Sequence, residues 1–217
     1  LQGTLVLCIH NDMKYSIAVL LPTRGRTDAL SRSVMSLFNR AVKPDTVQLL
    51  LAFDDDDTEG IEHFQQTLEP WLIEKKVNYE AQIFERMGYA RLNEYVNALA
   101  LSSAADWMMF WNDDAMMDTA GWDKIIAGCT GEFKCLSVHT HKDHPYSIFP
   151  IVPRAWLDCL GYLSPHQISD AWLSQQSYLL DNFKRVPVWV THDRHDLTGN
   201  NNDATYQQRV MYEGNPS

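Results

Sequence analysis

The sequence has few cysteines, no long apolar run and a shortage of positive charge. Its four cysteines, Cys8, Cys129, Cys135 and Cys159, include no closely spaced pair of the kind that zinc sites and redox-active dithiols use. They indicate reduced thiols in a cytoplasmic protein and give no support to a disulfide. No apolar stretch is long enough to span a bilayer. The short run near the N-terminus lacks the basic residue that precedes a signal-peptide core.

Acidic residues outnumber lysine and arginine by 28 to 18, which gives a formal net charge of -10. Such a balance argues against nucleic acid or an anionic membrane as a general partner, although a local basic groove would be compatible with it. A length of 217 residues suits one large domain. The hydrophobic content of 45% is enough for a substantial packed core.

The first half of the chain alternates strand and helix patterns. Apolar runs predict buried strands at Ser16–Leu21, Val47–Phe53, Val77–Phe84 and Trp107–Trp111. Helices are predicted between them at Ala29–Arg40, Ile61–Glu74 and Tyr89–Leu101, the first capped by Thr27 or Asp28. Helical connections of this length imply parallel strands with right-handed crossovers. We therefore predict a single α/β domain with a mostly parallel, Rossmann-like sheet flanked by helices.

The second half is less regular. Helices are predicted at Gly121–Gly128, Arg154–Leu160 and Ala171–Asn182, the last capped by Ser169 and Asp170. Strands are predicted at Phe133–Val138, Ser147–Val152 and Val186–Val190.

The two ends of the chain stand apart from this pattern. Residues 1–12 precede Met13, a plausible natural start, and we interpret them as a non-native extension; an extra edge strand at Thr4–Ile9 is the alternative. The domain is then expected over 13–197, with halves at 13–114 and 115–197. Residues 198–217 are rich in Gly, Asn and Asp and are expected to be a flexible tail.

Polar clusters follow the ends of two predicted strands. Asn112-Asp113-Asp114 comes directly after the fourth strand, and Asp54 to Asp57 follow the second. Open α/β sheets bind ligands at the carboxyl ends of their strands. Because adjacent carboxylates repel each other, a divalent cation is a natural companion. An Asx-type turn, with Asn and Asp serving only turn geometry, is the alternative.

A histidine-rich segment offers a different site. His139 and His141 lie two residues apart, so on a strand they would share a face and could chelate Zn²⁺ or Fe²⁺. Together with Asp143 and His144 they would suggest a metallohydrolase. No HExxH motif accompanies them, and a polar loop on the acceptor side of the protein is the alternative interpretation.

Five segments, in this order, resemble the family-2 glycosyltransferases of the GT-A fold. They are the proline-threonine turn Pro22–Arg26, the acidic strand end Phe53–Gly60, the helix start Gly88–Asn93, the N-x-D form of the metal motif at Asn112–Asp114, and the helix, glycine and acidic motif within Trp156–Asp170. The resemblance covers about residues 15–195. Gly25 stands where an asparagine is frequent, and Ser169 replaces the usual glutamate.

The resemblance implies a metal-dependent hexosyltransferase, inverting in mechanism. Its donor would be a nucleotide-diphosphate sugar, with a UDP-sugar favoured, and its acceptor a hydroxyl of an unknown glycan, lipid-linked or protein molecule. Mn²⁺ or Mg²⁺ would be held by Asp114, with His192 as the late ligand and His195 competing for that role. Asp170 would be the general base that deprotonates the acceptor.

The resemblance also implies nucleotide contacts. Asp54 and Asp55 would accept from the uracil N3–H. Thr23, Arg26 and Arg91 would contact the nucleotide, the first through its hydroxyl and the arginines through phosphate. A structural salt bridge to the aspartate run is the alternative for either arginine. Asn112 and Asp113 would face the ribose or the sugar.

Two other functions stay open at this point. One is a catalytically degenerate GT-A domain that binds nucleotide or sugar without turnover, which Asn112 and Ser169 suggest. The other is the hydrolase built on the histidine cluster.

Overall fold

The structure, a computed structural model, describes residues 6–8, 15–140 and 144–193. Its strands, in chain order, are β1 (Val6–Cys8), β2 (Ile17–Pro22), β3 (Val47–Asp54), β4 (Asn78–Phe84), β5 (Trp107–Phe110), β6 (Ala115–Met117), β7 (Cys135–Thr140), β8 (Ile151–Pro153) and β9 (Phe183–His192). Its α-helices are α1 (Thr27–Arg40), α2 (Thr58–His63), α3 (Glu69–Glu74), α4 (Leu92–Leu101), α5 (Trp122–Ala127), α6 (Arg154–Leu160) and α7 (Ser169–Leu179). A π-helical segment, Phe64–Leu68, joins α2 to α3, and short 3₁₀ turns at Pro44–Thr46 and Tyr89–Arg91 precede β3 and α4.

The strands of the described chain form one mixed sheet in the order β1-β4-β3-β2-β5-β8-β7-β9-β6. The neighbouring strands β4, β3, β2 and β5 are all parallel. Every residue of β3 and of β5 is buried, as expected for strands covered by helices on both faces. The predicted α/β sheet flanked by helices is therefore confirmed, and the first half of the chain contributes four adjacent parallel strands to it.

The second half extends the same sheet with strands of mixed direction. β8 pairs antiparallel with β5 and with β7, so β7 runs in the same direction as β5. β9 is parallel to β7 and therefore also points the same way as β5. The carboxyl end of β9, at His192, consequently reaches the same edge of the sheet as the carboxyl end of β5.

Helices cover both faces of the sheet with separate apolar clusters. One face packs under α1, α3 and α5, and its buried side chains include Leu30, Val34, Leu37, Leu72 and Trp122. The other packs under α4, α6 and α7, and its buried side chains include Tyr95, Leu99, Trp156, Leu157 and Leu173. Full burial of one such side chain stabilises the fold by about 1.5–3 kcal/mol. No helix within the described ranges is long and apolar enough to cross a membrane.

Helix starts differ from the predicted ones. α1 begins at Thr27, its N-cap residue is Arg26, and no side chain caps it by a hydrogen bond. The prediction that Thr27 or Asp28 caps this helix was therefore wrong. The second helix begins at Thr58 rather than Ile61, because the Asp57 carboxylate accepts from Gly60 N at 3.3 Å and caps it. α7 begins at Ser169, so Ser169 and Asp170 lie inside the helix and do not cap it.

Short strands were the other source of error. β6 was not predicted, because a strand of three residues gives no periodic signal and forms only through its pairing with β9. β8 covers Ile151–Pro153 instead of Ser147–Val152. The alternative edge strand near the N-terminus is present as Val6–Cys8, antiparallel to β4. The predicted tail, 198–217, lies outside the described residues.

Candidate active site

The sheet brings four polar loops to one edge. The chain passes from β2 to β3 on one side of β2 and later returns to β5 on its other side. The gap between β2 and β5 is therefore the topological switch point, where open α/β sheets bind their ligands. The turn after β2, residues 23–26, and the Asn112–Asp114 segment after β5 meet there. The acidic run after β3 and the end of β9 lie along the same edge.

Asp113 joins the two sides of the switch point. It is 6% exposed, and its two oxygens accept from Thr23 Oγ1 at 2.8 Å and from Arg26 Nη1 at 2.9 Å. Burial, opposed by Arg26 and reinforced by the neighbouring Asp114, raises the pKa of Asp113 to about 6. Asp113 thus fixes the β2 turn against the end of β5, and its predicted contact with ribose or sugar stays a prediction.

Asp114 directly precedes β6 and faces His192, at the end of the neighbouring strand β9. Its Oδ2 accepts from Arg26 Nη1 at 3.1 Å, and its Oδ1 lies 3.1 Å from His192 Nε2. Burial opposes ionisation of Asp114, but His192 and Arg26 more than offset it and hold the pKa of this carboxyl below its usual value. Asn112 Nδ2 lies 3.4 Å from the same imidazole nitrogen. The structure therefore brings His192 to Asn112 and Asp114, which lie 80 and 78 positions earlier in the chain.

Two buried atoms of this group lack hydrogen-bond partners. Within the described part of the chain, no hydrogen bond reaches Asp114 Oδ1 or His192 Nδ1. A carboxylate oxygen beside an imidazole nitrogen is a donor set that Mn²⁺ accepts. No group of three or more metal-binding side chains occurs among the described residues. An ion here would have two protein ligands, with its other positions open to phosphate oxygens and water.

The acidic run ties the loops after β2, β3 and β4 together. Asp54 is buried and accepts from the Tyr95 hydroxyl and from Arg24 Nη1, the latter at 3.0 Å. Asp56, on the surface, pairs with Arg24 and with Arg86 Nη1, the latter at 3.1 Å. Asp55 is exposed and accepts from the backbone N–H of Arg86 at 3.2 Å. Asp54 is thus fully engaged inside the protein, whereas Asp55 presents a carboxylate to solvent.

Arg26 and Arg91 both form ion pairs, but not with the aspartate run that was suggested as the alternative to nucleotide contacts. Arg26 pairs with Asp113 and Asp114 instead of the aspartate run, where Arg24 takes that place. Arg91 forms a surface ion pair with Glu94 one helical turn away, at 2.5 Å. Their predicted contacts with nucleotide remain predictions.

Tyr95 is a site residue that sequence reasoning missed. Its hydroxyl donates to Asp54 and accepts from the backbone N–H groups of Met87, at 2.7 Å, and Gly88, at 3.3 Å. Burial and the Asp54 hydrogen bond raise the pKa of Tyr95 to about 12, so it stays a donor at neutral pH. The sequence did offer one indication, a tyrosine on the apolar face of the predicted helix. A buried phenol usually has a polar partner.

Asp170 lies in the first turn of α7 and is partly buried. α7 packs against β7 and β9 and leads into β9 through a short turn, so helix and strand run in opposite directions. Nine helical steps from Asp170 to Leu179 span about 14 Å, whereas nine strand steps from Phe183 to His192 span roughly 30 Å. Asp170 therefore lies at the end of α7 that is nearer to the carboxyl end of β9. Its Oδ1 accepts from Ala171 N at 2.8 Å.

The histidine-rich segment is only partly described. The His139 ring stacks on the indole of Trp189, with centroids 4.5 Å apart and an angle of 18°. The His144 ring lies 5.5 Å from that of Tyr146. His141, Asp143 and His195 lie outside the described residues. Chelation by His139 and His141 therefore stays a prediction.

No protein-family model matches the sequence, and no curated protein matches it either. Solved structures do resemble the fold. A mannosyltransferase from Pyrobaculum calidifontis, PcManGT, bound to GDP-Man and Mn²⁺, superposes with a TM-score of 0.68 at 9% identity, over 84% of this chain and 58% of that one. TarS 1-349 from S. aureus, in complex with UDP, superposes with a TM-score of 0.63 at 14% identity, over 86% of this chain and 63% of that one.

These likenesses establish the fold. The chain has the GT-A-like α/β architecture of nucleotide-sugar glycosyltransferases, as the sequence resemblance implied. It spans less than two thirds of the length of either structure. A second TarS 1-349 structure, bound to UDP-GlcNAc, has a TM-score of 0.63 at 14% identity and covers 84% of this chain and 59% of that one.

Proposed function

We propose that this chain is a metal-dependent glycosyltransferase. It would move a hexose from a nucleotide-diphosphate sugar, with a UDP-sugar favoured, to an acceptor hydroxyl with inversion of configuration. The observation that carries the proposal is the buried Asp114 Oδ1 facing His192 Nε2 at 3.1 Å, at the switch point of a GT-A-like sheet. Because PcManGT was solved with GDP-Man and Mn²⁺, a GDP-sugar is the second donor class to test.

Asp114 and His192 would hold Mn²⁺ or Mg²⁺, and Asn112 would contribute a neutral amide oxygen or a contact to the sugar. The bound ion would offset the charge that develops on the leaving diphosphate. Arg26 lies beside Asp114 and would add a second positive charge to the phosphates, for which a guanidinium fork is well suited. Arg91, on the surface at the start of α4, would also contact the phosphates.

The nucleotide would lie along the loops after β2 and β3. Asp54 and Asp55 are proposed to hold the base, with different tasks. Asp55 is exposed and can accept from the base N–H, whereas Asp54 is bound by Tyr95 and Arg24 and keeps the loop in place. Asp113 would contact the ribose or the sugar, and Thr23 would help to hold it through the 2.8 Å hydrogen bond between them.

Asp170 is proposed as the general base. It lies in the first turn of α7, and its carboxylate can accept the proton of an acceptor hydroxyl as that oxygen attacks the sugar. The backbone N–H of Ala171 binds one of its oxygens and orients the group.

Calorimetric titration with UDP and with GDP, each with and without Mn²⁺, tests the donor site. We expect Mn²⁺ to strengthen binding of at least one nucleotide to the wild type, and Asp114→Ala to remove that strengthening. Asp118→Ala is the matched control, since this exposed carboxylate, four positions along the chain, bonds Thr191 Oγ1 instead of a metal-site residue. Equal nucleotide affinity with and without Mn²⁺ in wild type and Asp114→Ala would rule out the metal-dependent donor site.

Turnover is tested separately with a panel of sugar nucleotides. We expect donor hydrolysis or transfer by the wild type, and its loss in Asp170→Asn with nucleotide affinity unchanged. Retained nucleotide binding with no turnover of any donor would instead identify a degenerate binding domain. Full activity of Asp170→Asn would move the general base to another residue.

A further inference from the structure

We propose that Arg26 acts as a built-in cation that holds the position beside Asp114 until the donor diphosphate draws it away. This inference rests on the proposed donor and metal site. It assigns to one side chain the thermodynamic coupling between metal binding and nucleotide binding. Arg26 would thereby make metal binding depend on nucleotide binding. It would be a positioning residue that acts through Asp114, in addition to any contact with phosphate.

The geometry places one nitrogen between two carboxylates. Arg26 Nη1 lies 2.9 Å from Asp113 Oδ1 and 3.1 Å from Asp114 Oδ2. The side chains of Arg26, Asp113 and Asp114 are 22%, 8% and 18% exposed, so solvent screens these contacts only weakly. The same carboxylate of Asp114 that would bind the metal is therefore already paired with a guanidinium.

The charges at the site limit the affinity for a metal ion in the absence of nucleotide. The two carboxylates and the guanidinium sum to one negative charge, which a divalent ion would overturn to a net positive one. The ion at Asp114 would also lie within a few ångströms of the guanidinium, and like charges at that distance repel strongly in a partly buried site. Mn²⁺ on its own should consequently bind weakly.

A nucleotide diphosphate changes this balance. Its oxygens offer the guanidinium a bidentate partner, which is stronger than the single-nitrogen contact to Asp114. Arg26 can turn toward the phosphates while Asp113, held from its other oxygen by Thr23, remains in place. Asp114 is then released for the metal. Since coupling between two ligands is reciprocal, bound metal must strengthen nucleotide binding by the same factor.

The same turn contains a natural control. Arg24 lies two residues earlier and carries the same charge, but it pairs with Asp54 and Asp56. Removing either arginine changes the net charge of the edge by the same amount. If Arg26 acts directly at Asp114, Arg26→Gln and Arg24→Gln should change Mn²⁺ affinity by different amounts. If only the net charge of this edge matters, the two substitutions should change it similarly.

Binding of Mn²⁺ without nucleotide, measured by electron paramagnetic resonance, tests the inference. We expect Arg26→Gln to strengthen it roughly tenfold or more, the range set by one charge-assisted hydrogen bond. Arg24→Gln should change it by less than about twofold, because the ion pairs of Arg24 are to Asp54 and Asp56. Arg26→Lys, which keeps the charge without the fork, should fall between wild type and Arg26→Gln. Titration with UDP or GDP should then show a smaller metal–nucleotide coupling in Arg26→Gln than in wild type.

The outcomes separate this inference from the proposed function. Unchanged or weaker Mn²⁺ binding in folded Arg26→Gln, or equal gains in Arg24→Gln, would overturn the role of Arg26 while leaving the donor site intact. If Arg26→Gln does not fold, a gain in Arg26→Lys supports the inference and its absence contradicts it. A wild type that binds neither nucleotide, with or without Mn²⁺, would overturn the proposed function itself.

Discussion

Replacing Tyr95 with phenylalanine should be among the more destabilising single-atom changes in this protein. The substitution removes one oxygen, keeps the ring in the core and creates no large cavity. That oxygen serves three partners, because it donates to the buried Asp54 and accepts from the backbone N–H groups of Met87 and Gly88. Asp54 is the last residue of β3, whereas Met87 and Gly88 lie in the loop after β4.

The magnitude follows from what is left unpaired. A hydrogen bond to a charged group is worth about 1.5–3 kcal/mol, and the loss of its donor leaves the Asp54 carboxylate buried with Arg24 as its remaining side-chain partner. The two N–H groups lie in a half-exposed loop and can be partly rehydrated, so they add less. We expect Tyr95→Phe to lower the free energy of unfolding by about 2–4 kcal/mol. For a chain of this length, each kcal/mol lowers Tm by roughly 2–4 °C.

The change in the free energy of unfolding can be measured by urea denaturation monitored through tryptophan fluorescence, and the change in Tm by calorimetry. Tyr178→Phe is the matched control: its hydroxyl also makes a hydrogen bond, to Pro145 O at 2.7 Å, but its side chain is 54% exposed. Water can replace that bond, so the control should stay within about 0.5 kcal/mol of wild type. Equal free energies of unfolding for Tyr95→Phe and Tyr178→Phe would contradict this prediction. The buried hydrogen bonds at Asp54 would then contribute nothing measurable to stability.

Two further predictions concern residues away from the site. Thiol labelling with peptide mapping should modify the exposed Cys159 at once and leave Cys135 unmodified in the folded protein, because burial raises the pKa of the Cys135 thiol to about 11; rapid labelling of Cys135 would contradict this. Asp123→Ala should lower the free energy of unfolding by about 2–4 kcal/mol, since this buried carboxylate accepts from two consecutive backbone N–H groups after α1, at 2.9 and 2.7 Å. A change below about 0.5 kcal/mol in denaturant unfolding would show that water replaces both bonds.

Local patterns were enough to predict the elements of the first half. The strand at Val47–Phe53 is a continuous apolar run, and a strand buried on both faces needs no alternation. α6 covers Arg154–Leu160 as predicted, and Gly161 follows it with a φ of 76°, a conformation that favours glycine. By contrast, the starts of α1 and α7 depend on which backbone N–H groups find partners in the folded protein, and sequence patterns do not determine that.

The candidate site was predictable in part. The acidic strand ends and the expected meeting of their loops follow from parallel strands sharing one carboxyl edge. The pairing of specific charges did not follow, because Arg24 and Arg26 lie in the same turn and differ only in direction. Arg24 reaches the loop after β3, and Arg26 reaches the segment after β5.

Residue patterns along the chain were sufficient to predict the alternation of buried strands and helices, the α/β class and the edge at which polar side chains gather. Which of those side chains meet depends on the folded sheet. Asp114 comes within 3.1 Å of His192 because β9 runs parallel to β7 and is held by β6, a strand too short to be read from its own residues. Strand order and direction are set by packing across the whole sheet, so contacts between residues far apart in the chain are fixed only when that sheet is complete.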